Sequence, residues 1–260
     1  MAWAIELGKA GDFKGFHVNV AMSHAPLSIL NVLVVGCNRG EDCRIFVDSG
    51  AASVVGVDLL DEIGVDYRHP STSYVCASVE ELPFETDRFD LVFAYATLEH
   101  VQNIYSAFRE MARVCRPGGI VYSASAPLWN SRYGPHWGEA FHDLPWAHLL
   151  YRPAEIIEFN RRRREGNAAC AFPHEAEIRY WLHDGMFNKR PSLSYLNACR
   201  TLDDIEIIRN DLELEDPAVL SDDLYARLSV QGFSREELLA LTHIFIGRKT
   251  APPTRFSFRF

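Results

Sequence analysis

Short apolar runs alternate along the first half of this chain with segments of mixed polarity. Residues 31–35, NVLVV, are apolar and rich in β-branched side chains and end at Gly36, the pattern of a strand buried on both faces. Residues 41–49 carry Cys43, Phe46 and Val47 at helical spacing, and Gly50 stands where a helix commonly ends in a left-handed glycine. Residues 53–57 form a second β-branched run ending at Asp58, and residues 73–76 a shorter third. A fourth strand is expected over 89–95, an amphipathic helix over 103–114, a turn at Arg116-Pro117-Gly118-Gly119 and a fifth strand over 120–123. Strands and helices in strict alternation predict a parallel sheet with helices on both faces.

After Pro127 the texture changes to a stretch rich in aromatics and histidines, WNSRYGPHWGEAFHDLPWAHLLY, with little alternation of either period. Residues 127–200 are therefore expected to be an insertion after the fifth strand, lying as a lid over the carboxyl edge of the sheet, with helical pieces near 154–163 and 175–183. Regular structure resumes with a strand at 204–209, a short helix at 236–241 preceded by Ser234 as N-cap, and a closing strand at 242–247. The expectation is one α/β domain over 1–260, a doubly wound sheet of seven mostly parallel strands, ending in a tail, APPTRFSFRF. Internal repeats and low-complexity linkers that would divide the chain are not seen.

Composition narrows the choice. A chain of 260 residues, 48% hydrophobic and 23% charged, is ordinary for a globular protein. Its formal charge of -9 repels phosphate backbones, so nucleic acid is not an expected partner. The start lacks a basic region followed by an apolar core, and no stretch approaches the ~20 apolar residues that span a bilayer, so a cytoplasmic protein without a membrane partner is expected. Cys37, Cys43, Cys76, Cys115, Cys170 and Cys199 are scattered without CxxC spacing and are expected to be reduced thiols, not a zinc site or disulfide framework. Monomer and dimer both remain open.

Gly36 and Gly40 bracket the turn between the first strand and its helix, where the lack of side chains lets backbone N–H groups approach a ligand. Asp58 ends the second strand about twenty residues on, the position from which a carboxylate accepts hydrogen bonds from ribose hydroxyls. Together they imply an adenosine ligand. The GxGxxG fingerprint of dinucleotide sites is absent: the turn reads Gly36-Cys37-Asn38-Arg39-Gly40-Glu41.

In these residues the chain resembles the class I S-adenosylmethionine (SAM)-dependent methyltransferases, in particular the group with a GCGxG turn, an LPF segment and an LEHV segment. The resemblance covers about 31–127: VLVVGCNRG matches the glycine-rich turn, VGVD the ribose-binding acid, SVEELPFETDRFDLVFAYATLEHV the adenine-side loop and fourth strand, and REMARVCRPGGIVY the helix and turn that follow. It implies a Rossmann-like fold, SAM as methyl donor and S-adenosylhomocysteine as product. By the same resemblance Gly36, Cys37, Asn38 and Gly40 line the methionine and ribose portion, Asp58 with Leu59 the ribose, Ser78 and Val79 the adenine, and Ala94 and Tyr95 the surroundings of the methyl group. The chain departs from the pattern at Val34, Asn38 and Ser78, where an acid, a glycine and an acid are usual. Asn tolerates left-handed backbone and Ser can hydrogen-bond.

Displacement at a sulfonium demands mainly alignment and desolvation, and a hydroxyl acceptor is helped by a general base near neutral pKa. His136 and His142 of the aromatic stretch, and His100 after the fourth strand, are the candidates. A cation shared by His136, His142 and Asp143 is an alternative, but no metal is assigned. Tyr133, Trp137 and Trp146 either wall a ring-shaped acceptor or pack the lid, and Arg161–Arg164 either form a solvated face or read an anion on the acceptor. The expected activity is methyl transfer to a small-molecule or sugar-like acceptor, at oxygen; the alternative is an inactive fold that senses a ligand or acts as a scaffold.

Overall fold

The computed structural model describes residues 12–25, 30–137, 140–166, 171–172 and 174–251. The tail and Cys170 lie outside the described residues, as does most of the N-terminal stretch read for a targeting signal.

Helix α1 (Phe13–His24) precedes the first alternation of strand and helix: β1 (Asn31–Val35), α2 (Glu41–Asp48), β2 (Ser53–Asp58), β3 (Thr72–Cys76), β4 (Phe89–Tyr95), α3 (Ile104–Val114) and β5 (Cys115–Ser125). Beyond it come α4 (Ala147–Leu150), α5 (Pro153–Glu165), α6 (Glu175–Trp181), α7 (Ser192–Arg200), β6 (Ile205–Leu214), α8 (Asp222–Ser229), α9 (Arg235–Leu239) and β7 (Ala240–Lys249). The strands form one seven-stranded sheet in the order β3-β2-β1-β4-β5-β7-β6. Pairings among β1 to β5 are parallel, and β7 runs antiparallel to both β5 and β6. The expected fold class is the observed one, a Rossmann-like methyltransferase fold.

The continuous apolar runs are explained by burial on both faces. Leu33 and Val35 of β1 join Phe108 and Met111 of α3 and Tyr195 of α7 on one side. Val32 and Val34 join Val18 and Ala21 of α1 and Cys43 and Phe46 of α2 on the other. Each such side chain, fully buried, contributes about 1.5–3 kcal/mol, so the central strands are committed to this layer.

Three local expectations are corrected. Arg116 to Gly119 do not turn away from the sheet; they lie within β5, whose register against β4 shifts between Phe89 and Leu91, with Gly118 at φ +82 absorbing the irregularity. The strand expected at 204–209 continues to Leu214, because pairing with β7 persists to its end. The segment 127–200 is not one added unit. Its last helix, α7, buries Tyr195, Ala198 and Cys199 in the same core as Phe108 and Phe245.

The remainder of that segment has its own small core of Trp137, Phe141, Ala147, Ile156, Phe172 and Ile178. Trp146 joins a further cluster with Leu220, Leu228, Leu238 and Leu239, which anchors the segment to α8 and α9. Ser234 caps α9 as expected, its hydroxyl accepting from the Glu237 amide. Among the described residues no helix is long and apolar enough to cross a membrane.

Candidate active site

The turn after β1 is tied to the end of β2: the amides of Gly36 and Cys37 both donate to the Val57 carbonyl, at 2.8 and 3.2 Å. Gly36 sits at φ +69, and a Cβ there would lie 2.1 Å from Thr97 Oγ1, so both backbone shape and the close approach of the chain after β4 require glycine. Asn38 adopts φ +46, the left-handed geometry that a glycine would otherwise supply, so its departure from the family pattern leaves the turn intact. Its amide donates to Asp58 Oδ2 at 2.8 Å, while Asp58 Oδ1 accepts from the amides of Leu59 and Leu60. These three bonds orient the carboxylate, and with about four lone-pair sites it retains one for a ligand's hydroxyl.

A cleft of about 520 Å³ opens beyond the carboxyl ends of β1, β2 and β4. Gly36, Asn38, Asp58, Leu59, Ser78 and Val79 line it, six of the residues expected at a donor site. The other four lie behind or beside it. Cys37 is buried in the core, close against Gly56; Gly40 is packed beneath the Tyr74 hydroxyl; Ala94 is a core residue of β4; and the Tyr95 ring stacks on His17 of α1 at 4.6 Å. They shape the cleft without lining it. Ala96, Thr97 and Gln102 line it as well and were not anticipated from the sequence. Their signal was the polar segment directly after an apolar strand, where a parallel sheet places its ligand sites.

At the far end of the cleft a short 3-10 turn, Leu98–His100, places His100 on the cleft wall, with Glu99 buried beside it and off the wall. His136, from the segment after β5, meets them: its ring lies 5.1 Å from that of His100, edge to face, and its Nε2 lies 3.8 Å from Glu99 Oε1. Glu99 is 1% exposed, and neither carboxylate oxygen has a hydrogen-bond partner. Burial pushes its carboxyl up to about 8, opposed only in part by the nearby amides of Glu99 and Ala126. Burial, and then the neighbouring His100, bring His136 down to about 4; burial also lowers His100. Near neutral pH these three ionisable groups are all uncharged.

Of the three candidate histidines, His136 and His100 meet and His142 stands apart from them. His142 is exposed and faces a separate hollow with Arg132 and Phe141. Asp143 pairs with Arg163 at 2.9 Å, so the alternative cation group of His136, His142 and Asp143 does not assemble. Trp146 is fully buried with its Nε1 donating to the Asn130 carbonyl, and Trp137 sits in the segment's own core, so both pack. Tyr133 lies under the Arg132 guanidinium. Of the arginine run, Arg161 and Arg162 pair with Glu158 and Arg163 with Asp143.

The family described as a methyltransferase domain matches residues 33–123. A ubiquinone biosynthesis O-methyltransferase of Bradyrhizobium sp. (strain ORS 278) is 35% identical over 112 residues, which are 40% of this chain and 44% of that protein. One of Rhodopseudomonas palustris (strain HaA2) is 33% identical over 111 residues, 40% of this chain and 43% of that protein. The chain therefore spans less than half the length of the curated relatives it matches. The solved S-adenosylmethionine-dependent methyltransferase of Mesorhizobium loti superposes with a TM-score of 0.53 over 89% of this chain and 96% of its own, at 16% identity.

Proposed function

Residues 33–123 form a class I SAM-dependent methyltransferase domain, and from that premise we propose that the chain transfers a methyl group from SAM to an oxygen of a small-molecule acceptor, leaving S-adenosylhomocysteine. The observation that carries this reading is the cleft itself: Asp58 and the Gly36 turn line it together with His100, whose ring meets His136 beside the buried Glu99.

The cleft residues fit an adenosyl ligand. Asp58 offers its remaining lone pair to a ribose hydroxyl, Leu59 and Val79 offer apolar walls to the adenine, and the volume lies within the range of small-molecule sites. Bound there, SAM supplies a methyl group already activated on a sulfonium. The protein's work is then alignment, exclusion of water and removal of the acceptor's proton. Exclusion falls to Tyr180, Trp181 and Met186 of the segment after β5, which border the cleft opposite the domain and make that segment the acceptor-side lid. Proton removal falls to His100, which lines the cleft and whose Nδ1, hydrogen-bonded to the Met186 carbonyl, leaves the Nε2 lone pair to accept from a hydroxyl. Oxygen as the acceptor atom is supported by the O-methyltransferase function of the curated relatives.

Calorimetric titration with SAM, S-adenosylhomocysteine and NAD tests the donor. Both adenosyl ligands are expected to bind and NAD not to. A folded sample that ignores the adenosyl ligands sinks the reading.

A further inference from the structure

We propose that Glu99, His100 and His136 form a binding site for one divalent first-row transition cation beside the cleft, which His100 lines. One ligand atom from each residue lies within 4.8 Å of the others. A cation bonding at roughly 2.1 Å holds its ligands about 3–3.4 Å apart, so small ring rotations close the site. Two imidazole nitrogens and one carboxylate favour zinc, cobalt, manganese or ferrous iron over magnesium or calcium, which prefer all-oxygen sets.

The second observation is the orphaned state of the donors. Both oxygens of Glu99 and Nε2 of His136 are buried without hydrogen-bond partners. Each such atom costs about 1–3 kcal/mol, and a fold that keeps three together needs a ligand to account for them. The outer partners are already in place. His100 Nδ1 lies 2.7 Å from the Met186 carbonyl, which fixes the proton on Nδ1 and leaves the Nε2 lone pair for a cation. The Pro127 carbonyl makes the corresponding contact with the His136 ring.

The connections around the cluster hold it closed. The Asn188 amide donates to the Glu99 carbonyl at 2.9 Å, and Asn188 Nδ2 donates to the carbonyls of Leu98 and Val101. A cation there fastens the lid, through His136, to the turn after β4. Three protein ligands leave at least one position open, and His100 directs the site toward the cleft. An acceptor hydroxyl bound at that position has a lowered pKa and gives its proton to water, so a side-chain base is not required. This last step rests on the methyl-transfer reading; the cation site does not.

The test uses the full chain, stripped with a chelator and titrated with Co²⁺ while its visible absorption is followed, with Zn²⁺ as competitor. One equivalent per chain is expected, with ligand-field bands that Zn²⁺ removes. Glu99→Gln and His136→Gln should each weaken binding by more than the roughly 10- to 100-fold typical of losing an outer partner. His142→Gln, outside the cluster, should bind as the parent does. Glu99→Gln preserves shape and neutral hydrogen-bonding capacity, so it keeps the test decisive if a histidine variant fails to fold. No stoichiometric Co²⁺ binding, or equal binding by the parent and Glu99→Gln, overturns the proposal. SAM titration of the same samples separates the two claims. Cobalt binding without SAM binding removes the methyl-transfer reading and leaves the cation site, and SAM binding without cobalt binding does the reverse.

Discussion

The two ends of the cleft are built by different means. The donor end is mostly backbone: a turn held to Val57 by two amides, a left-handed Asn38, and a carboxylate oriented by three N–H groups, all within residues 36–60. The far end is mostly side chains, with Glu99 and His100 meeting His136 from a different segment. A backbone-built site depends on local conformation and tolerates changes in side-chain identity, as Asn38 illustrates. A side-chain-built site fails when one distant element moves.

The largest expected effect on ligand binding breaks the donor end. Asp58→Ala removes the charged acceptor of a ribose hydroxyl, a bond contributing about 1.5–3 kcal/mol, so SAM affinity should fall by roughly 10- to 100-fold in calorimetry. Unchanged affinity would mean that the ligand does not use this carboxylate. Trp146→Ala attacks the other end by emptying the cluster that anchors the lid segment to α8 and α9. A loss of about 3–5 kcal/mol in denaturant unfolding is expected, together with faster proteolysis between α4 and α6.

Acid should probe the face covered by α1. His17 is brought down to about 4, chiefly by burial and then by the charge of Arg209. The unfolded state takes up a proton near pH 6.5 and the folded state only near 4. The stability conferred by a neutral His17 is therefore complete above 6.5 and is lost as pH falls from 6.5 to about 4, by roughly 3 kcal/mol. Thermal melts across that window should flatten in His17→Gln, and an equally steep acid loss in the variant would refute the assignment.

Gly36→Ala should cost about 2 kcal/mol or more, from left-handed strain and from contact with Thr97. Partial recovery in Gly36→Ala with Thr97→Ser would tie the cost to that contact. The smallest effect is expected at Arg162, whose ion pair with Glu158 is exposed: Arg162→Gln should change stability by no more than about 0.5 kcal/mol. A large loss there would reopen a binding role for the arginine run.

Much of the donor end was legible in the sequence because its signals are local. β1, β2 and β4 announce themselves as apolar runs, and the Gly36 turn and Asp58 lie close along the chain. Helix α1 was not legible, because its buried stripe is Gly15, His17, Val18 and Ala21, which carries little hydrophobic periodicity. Glu99 was not legible as a site residue either. Its sequence neighbourhood explains a turn after a strand, but nothing local reveals that its carboxylate is buried without a partner.

The sequence by itself determined the order of the first five strands, the glycine turn after β1 and the acid that ends β2. The cause is that each depends on conformational preferences and spacings of a few tens of residues. Only the tertiary structure decided which histidines meet, that α7 packs in the core of the sheet, and that Trp137 and Trp146 are buried in hydrophobic clusters. Those outcomes depend on which side chains converge after the chain has crossed the sheet, a matter of long-range burial that no local pattern encodes.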